Sequence, residues 1–330
     1  MLDGSGRRLH GRILRHADLA EALALVPPWL PLTPGQRAAL PKVWTRLLGH
    51  SGFNADVIED LACPAGQRLV GLGVSIALGD AWRERLQREP PPFAPALVYA
   101  DLLNGNYPLP TDSELARMSG EGKVAFLVLH YHQVLDDLGH PDTLQMLDVA
   151  MTLFRHTHAG YRLECLYQEG LEQQVAYLQS MGFRARTARA CKGVPELYGL
   201  TRQEAAGLLP GAPVRNAFQF TPPRFGFTAA ERRMLRLAVT QLSDAEMSDE
   251  LGISLHGLKK LWRSVHQRAL AAMPSLFDEA AAVGEESATR GPEKRRSLLL
   301  YLRQHPEELR PYRAPRPTAC GAPGADLRGS

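Results

Sequence analysis

Cysteine is scarce in this 330-residue sequence, and long apolar runs are missing. The four cysteines, Cys63, Cys165, Cys191 and Cys320, are far apart, and none belongs to a CxxC pair. This spacing argues against a disulfide framework or a zinc site and is typical of reduced thiols in the cytoplasm, the expected location. The apolar runs are too short to span a bilayer, and none follows the basic residues near the N-terminus. We therefore expect neither a membrane partner nor a signal peptide.

Acidic side chains are absent from one stretch in which cations collect. Residues 254–270 contain four Lys or Arg and no Asp or Glu, whereas residues 243–251 contain four acids and no Lys or Arg. The formal net charge of the chain is only +3. The local asymmetry, rather than the total charge, therefore indicates a nucleic-acid partner.

Three helices with two tight breaks are predicted between residues 228 and 270. Thr228 and Ser243 are each followed three residues later by a glutamate, which is the spacing of a capping box. Gly252 ends the second helix, because glycine adopts the left-handed conformation of a tight turn. Ser254 caps the third helix. The inner face of that helix is predicted to be Leu258, Leu261 or Trp262, and Val265. The pattern is that of a helix-turn-helix.

This stretch resembles the C-terminal DNA-binding domain of LuxR-type transcription regulators. The matching residues are Thr228, Glu231, Arg232, Leu235, Leu237, Leu242, Ser243, Glu246, Leu251, Gly252, Ile253, Ser254, His256, Lys259, Arg263 and Arg268. Three residues depart from the family pattern: Gln241 stands at a usual glycine, Gly257 at a threonine and Leu261 at a polar residue. The resemblance implies double-stranded DNA as the partner. It also implies a homodimer, because specific binding usually takes two helix-turn-helix units.

The third helix is expected to enter the major groove of DNA. Its cations are expected to contact phosphates or guanines: Lys259, Lys260, Arg263 and Arg268. The residues at its start are expected to approach base edges: Ser254, Leu255, His256 and Gly257. The alternative is a three-helix protein-binding module with a solvated basic face.

Residues 1–220 are predicted to form a mixed α/β domain with a partly parallel sheet and helices on both faces. The predicted strands are 8–14, 54–61, 68–78, 123–132, 160–167 and 183–186. The predicted helices are 17–26, 33–48, 80–105 with a proline interruption, 111–120, 143–156, 171–181 and 201–209. A small all-α helix-turn-helix domain follows at residues 221–275. Residues 276–330 are predicted to be a short helix and a disordered tail.

The order of elements over residues 8–190 resembles the GNAT acetyltransferase superfamily, with the best local match at residues 175–183. That family holds the acyl-CoA pyrophosphate on a glycine-rich backbone at a helix N-terminus. The corresponding stretch here, residues 132–143, has one glycine. It also has two acids, Asp136 and Asp137, which repel a pyrophosphate.

The tyrosine that serves as general acid in the GNAT family falls on Leu178 here. Tyr177 stands one place earlier, which turns its side chain by ~100° on a helix. These departures predict a ligand-sensing or dimerising module, with no catalytic residue and no cofactor assigned, and a chain that is not an enzyme. The main prediction is a sequence-specific DNA-binding transcription regulator that responds to a small-molecule effector or a partner. The alternative is an active N-acetyltransferase with a DNA- or protein-binding helical appendage.

Five of the eleven histidines fall within residues 130–158: His130, His132, His140, His156 and His158. His130 and His132 are expected to face the same side of a strand. A metal site or a pH-sensitive pocket is one interpretation of the cluster. The other is that these side chains bond the backbone at strand and helix ends, and no metal site is assigned.

A final helix is predicted within residues 295–309. Its apolar stripe consists of Leu298, Leu299, Leu300 and Leu302. We expect this stripe to pack either on the helix-turn-helix or on a second subunit.

Overall fold

The computed structural model describes residues 6–107, 109–187, 191–277 and 290–315. Seven strands form one sheet within the first 220 residues. They are β1 Leu9–Ile13, β2 Phe53–Asp60, β3 Leu69–Ala77, β4 Val124–Gln133, β5 Leu163–Gly170, β6 Arg184–Ala185 and β7 Glu196–Thr201. Their order across the sheet is β1-β2-β3-β4-β5-β7-β6. The pair β4–β5 is parallel, and the other described pairs are antiparallel.

Helices cover both faces of this sheet, as predicted. They are α1 Leu19–Ala22, α2 Pro34–Leu47, α3 Asp80–Arg88, α4 Ala94–Asn104, α5 Asp112–Glu121, α6 Pro141–His158, α7 Val175–Ser180 and α8 Arg202–Ala206. On one face, Trp44 of α2 and Tyr99 of α4 join the core that contains Leu127. On the other face, Leu115 of α5 and Leu178 of α7 join the core that contains Phe126. Burial of β3 on both faces also matches its mostly apolar sequence.

Several elements differ from the prediction. Strand β5 begins three residues later than predicted, at Leu163. Helix α7 spans only Val175–Ser180 and follows a single 3-10 turn, Glu172–Gln174. Strand β7 was not predicted, because Pro195 and Gly199 give its sequence the composition of a loop. Antiparallel pairing with β5, from Cys165–Thr201 to Gly170–Glu196, defines β7, and this pairing is not visible in the local pattern.

The remaining helices are α9 Ala229–Ala238, α10 Asp244–Leu251, α11 Leu255–Ala272 and α12 Arg290–Gln304. Both predicted capping boxes are confirmed at Thr228 and Ser243. Gly252 adopts a left-handed φ of 63° after α10, as its position required. Ser254 caps α11 by accepting a hydrogen bond from the N–H of Gly257 at 3.1 Å.

Helix α12 is longer than predicted and packs on α9 and α11. Its Leu298 and Leu302 are buried in the core of these helices, whereas Leu300 is exposed. The apolar stripe therefore packs within the same chain.

The chain after α12 contacts both parts of the protein. The Glu308 carboxylate accepts hydrogen bonds from the N–H groups of Arg224 and Phe225, at 2.8 and 3.0 Å. Arg310 is buried and donates to the carbonyl oxygens of His156 and Ala159. Most of the tail predicted to be disordered lies outside the described residues. Among the described helices, none is long and apolar enough to cross a membrane.

Candidate functional site

Strands β4 and β5 separate at one end of the sheet. Their parallel pairing runs from Val124–Leu163 to Val128–Gln168, but β4 continues to Gln133 and β5 to Gly170. The register of β4 against β3 also shifts at this point, between Val74 and Ser75 of β3. Beyond Val128, the backbone of β4 is not paired with β5, so the sheet is open between the two strand ends.

His130 lies on the face of the sheet that carries α4. His130 and His132 pair with Val74 and Leu72 of β3, which both belong to the core on that side. The two histidines therefore share a face, as predicted. The Nε2 atom of His130 lies 3.0 Å from the hydroxyl of Tyr99. Its Nδ1 atom has no partner within the described structure, and burial lowers the pKa of His130 to about 3, which keeps the ring neutral.

Glu169 lies near the end of β5, on the same face as His130. Its side chain is on the side of α4, because the Oε1 atom accepts the N–H of Ala94 at 2.8 Å. Phe93, the N-cap of α4, has a left-handed φ of 57° next to this carboxylate. The Oε2 atom of Glu169 is buried and makes no hydrogen bond within the described structure, and the backbone N–H of Phe93 also faces the carboxylate. Burial raises the pKa of Glu169 to about 8. A carboxyl group with such a pKa can exchange a proton near neutral pH.

Sequence reasoning did not identify Glu169. The signal that was available is an acid placed two residues after Tyr167 and thus on the apolar face of β5. Its burial depends on α4, which lies more than 60 residues earlier in the chain, and no local pattern reports that contact.

A small cavity of about 80 Å³ lies on the other face of the sheet, between the strands and α6. Tyr131 and Tyr177 line this cavity together with Gln168. Leu178, at the position where the GNAT pattern has its general-acid tyrosine, is instead fully buried in the core. The tyrosine one place earlier is therefore the one that reaches the cavity.

The N-terminus of α6 has no phosphate cradle. The Nδ1 atom of its N-cap, His140, accepts the N–H of Asp142 at 3.1 Å. The Asp142 carboxylate lies in the first turn and pairs with Nε of Arg7 at 2.8 Å. A carboxylate thus occupies the region that would attract a pyrophosphate, and the residues present do not fit the pyrophosphate of acyl-CoA.

The other histidines of the cluster make separate hydrogen bonds. His158 bonds Ser75 through Nε2 at 3.0 Å and the Phe154 carbonyl through Nδ1 at 2.8 Å. In the described ranges, no group of three or more His, Cys, Asp or Glu side chains is arranged to hold a metal ion.

Helix α11 carries the residues predicted to bind DNA. Its inner face is Leu258, Trp262, Val265 and Ala269, which agrees with the predicted spacing. The exposed residues of the predicted set are Ser254, Leu255, His256, Lys259, Lys260, Arg263 and Arg268, and Gly257 is half-buried. Arg268 already forms an ion pair within the chain, since its Nε atom lies 3.1 Å from the Glu231 carboxylate.

The acids of α10 face other parts of the chain. Glu246 pairs with Arg15 at 2.9 Å, and Glu250 lies 2.7 Å from Nδ1 of His16. Asp244 pairs with Arg295 of α12 at 2.8 Å. These contacts attach α10 to the segment after β1 and leave α11 as the exposed basic helix.

No family model and no curated protein matches this sequence. Solved structures with a similar layout include mutant forms of the spermidine/spermine N-acetyltransferase SpeG from Vibrio cholerae, at 12% identity, 60% coverage of this chain, 96% coverage of that chain and a TM-score of 0.34. They also include FeeM, an N-acyl amino acid synthase from uncultured soil microbes, at 15% identity, 62% and 97% coverage and a TM-score of 0.32. At these values the similarity by itself assigns neither a family nor an activity to this chain.

The comparison corrects one prediction from the sequence. The chain was predicted not to be an enzyme, but these similar structures are an acetyltransferase and a synthase. That prediction is not kept. The mixed α/β sheet with helices on both faces is present. The comparisons do not support the resemblance of the C-terminal helices to LuxR-type regulators, which stays a prediction.

Proposed function

We propose that the chain is an acyl-transfer enzyme of the N-acetyltransferase type with a C-terminal helical appendage that binds DNA. The observation that best supports the enzymatic part is Glu169, a buried carboxyl group beside the open end of the one described parallel strand pair. One of its oxygens is held by α4 and the other makes no hydrogen bond in the described structure. A buried group in this state is a candidate for proton transfer.

In the proposed reaction, the nitrogen of an acceptor amine attacks the carbonyl carbon of an acyl thioester. A C–N bond forms, the C–S bond breaks and the sulfur leaves as a thiolate, which takes up a proton from solvent. Ionised Glu169 accepts the proton that the attacking nitrogen must lose. The neutral ring of His130, fixed by Tyr99, lies on the same face of the sheet.

The donor is proposed to be a thioester that is not recognised through a pyrophosphate. Asp142 in the first turn of α6, with Asp136 and Asp137 in the preceding loop, disfavours a polyanion at that position. This donor class distinguishes the proposal from an ordinary acyl-CoA enzyme.

The test is thiol release from S-acetyl-N-acetylcysteamine, a thioester without phosphate, in the presence of spermidine or a mixture of amino acids. Glu169→Gln keeps an oxygen that can accept the Ala94 N–H but removes the proton acceptor. It should lower the rate by about 100-fold or more. Glu164→Gln is the matched control, because this acid is on the same strand and pairs with Arg83 at 3.1 Å on a more exposed surface. Equal rates in both variants would contradict the proposal.

The proposal for DNA binding rests on the exposed face of α11. Lys259, Lys260 and Arg263 are exposed on a helix without acids. Cations that neutralise phosphates release counterions, so binding would weaken steeply as salt rises. The alternative from the sequence, a protein-binding module, predicts no salt-sensitive binding to DNA.

A DNA shift assay with genomic fragments separates these two functions. Lys260→Ala with Arg263→Ala should weaken DNA binding. It should also reduce the slope of log affinity against log salt concentration by the contribution of about two phosphate contacts. The control is Lys42→Ala with Arg46→Ala, which removes two exposed cations from α2. A salt slope that is the same in both double variants would rule out α11 as the DNA-binding helix.

A further inference from the structure

A cavity of about 660 Å³ lies between the sheet domain and the C-terminal helices. The sheet domain contributes side chains of β1, β2 and α6, and the helical part contributes side chains of α9 and α12. Neither part lines the cavity alone. A molecule bound there would therefore contact both.

Two arginines of α9 line this cavity. Arg233 and Arg236 are three residues apart, so they lie on the same side of the helix. Within the described structure, neither guanidinium group has a hydrogen bond or an ion pair. Arg303 and Arg310 also line the cavity, but they donate to backbone carbonyl oxygens of Val239, His156 and Ala159. The cavity thus has two cations available to an anion.

The acids of the cavity leave these two cations available. Asp56 is half-buried and accepts the hydroxyl hydrogen of Thr157 at 2.7 Å, and its charge interacts with Arg236 without forming an ion pair. Glu250 bonds His16 at 2.7 Å. Asp148 is exposed on α6. No ion pair between these acids and Arg233 or Arg236 occurs in the part of the chain that the structure describes.

The rest of the lining is largely apolar. It includes Leu14, Phe53, Leu153, Leu237, Leu302 and Leu309. Asp56 and Leu153 also line the small cavity under α6, so these two side chains form a shared wall between the two cavities. An apolar chain that starts at α9 would run towards that wall.

We infer that this cavity binds an amphipathic carboxylate, with the carboxylate on Arg233 and Arg236 and an apolar chain among the leucines. A guanidinium group matches a carboxylate with paired N–H donors, and two of them hold one anion firmly. Because the ligand touches both parts of the chain, its binding stabilises the arrangement in which they are joined. The inference does not depend on the proposed acyl transfer, since neither Glu169 nor His130 lines the cavity.

Calorimetry of the full chain with sodium decanoate and 1-decanol tests the carboxylate. Decanoate should bind at least about tenfold more tightly than decanol, which has the same chain and no charge. Arg233→Gln with Arg236→Gln should remove that difference. The control is Arg88→Gln, an exposed arginine at the end of α3 that does not line the cavity. It should bind decanoate like the unaltered chain.

The contact between the ligand's apolar chain and the leucines is tested by calorimetry of the unaltered protein with hexanoate, octanoate and decanoate. Affinity should rise by about fourfold for each added methylene group, because each one is buried. Equal affinity for decanol and decanoate would overturn the assignment of the head group. No binding of any of these probes, or no dependence on chain length, would overturn the site itself.

Discussion

The hydroxyl of Ser264 on α11 donates to the Glu231 carboxylate on α9 at 2.6 Å. The same carboxylate accepts the N–H of Thr228 at 2.7 Å and pairs with Arg268. Glu231 is buried, so these bonds hold its charge between two helices. They also hold the pKa of Glu231 below its usual value, although burial alone would raise it.

Glu231→Ala should therefore lower the free energy of unfolding by about 3 kcal/mol, because it removes buried hydrogen bonds to a charge. The matched change is Glu246→Ala in the exposed capping box of α10, which also removes the exposed ion pair with Arg15 and should cost about 1 kcal/mol in total. Urea denaturation of both variants measures the difference. Equal losses would mean that Glu231 acts only as a helix cap.

The same residue shows how far the sequence predicts this fold. The capping boxes at Thr228 and Ser243 were predictable because three-residue spacing is local. The bond from Ser264 to Glu231 was not, because it joins side chains 33 residues apart. Glu169 was missed for the same reason: its burial against α4 follows from the packing of the whole domain.

Gln241 has a left-handed φ of 67° at the position where the LuxR-type pattern has glycine. This backbone conformation destabilises a non-glycine residue by about 1 kcal/mol or more. Gln241→Gly should raise the free energy of unfolding by about 1 kcal/mol. Gly252→Ala, at a φ of 63°, should lower it by a similar amount. Thermal unfolding of the two variants should shift in opposite directions, and a loss in Gln241→Gly would show that its side chain contributes more than the strain costs.

The stability of the chain should depend on pH through Glu169. Burial raises the pKa of this group from an ordinary value of 4.5 to about 8, so the folded chain holds the proton more tightly than the unfolded chain. The resulting stabilisation is fully present below the unfolded pKa and is lost as the pH rises through the folded pKa. Between about pH 5 and about pH 8 the loss amounts to about 3 kcal/mol.

Glu169→Gln removes this proton and should remove its share of the pH dependence. The measurement is urea denaturation of both proteins at several pH values. The difference between them isolates Glu169 from the other titrating groups. A difference that does not change with pH would mean that the Glu169 carboxyl group titrates alike in the folded and unfolded chains.

Gly257 lies in the first turn of α11, at the position where the LuxR-type pattern has threonine. A methyl group there would meet its nearest neighbour, Oγ of Ser254, at 3.6 Å, which is an ordinary contact. Gly257→Ala should therefore stabilise the chain by up to about 1 kcal/mol through helix propensity. Thermal unfolding checks this value. A loss of stability would mean that the first turn of α11 is not a regular helix in solution.

The most direct test of the proposed enzyme is the pH dependence of kcat/KM for acyl transfer from S-acetyl-N-acetylcysteamine to an amine. In the unaltered chain, kcat/KM should rise with an apparent pKa near the value of about 8 that burial gives Glu169. In Glu169→Gln it should be about 100-fold lower and should lose that rise. A thioester consumed no faster than in buffer, or the same profile in both proteins, would contradict Glu169 as the proton acceptor of an acyl transfer.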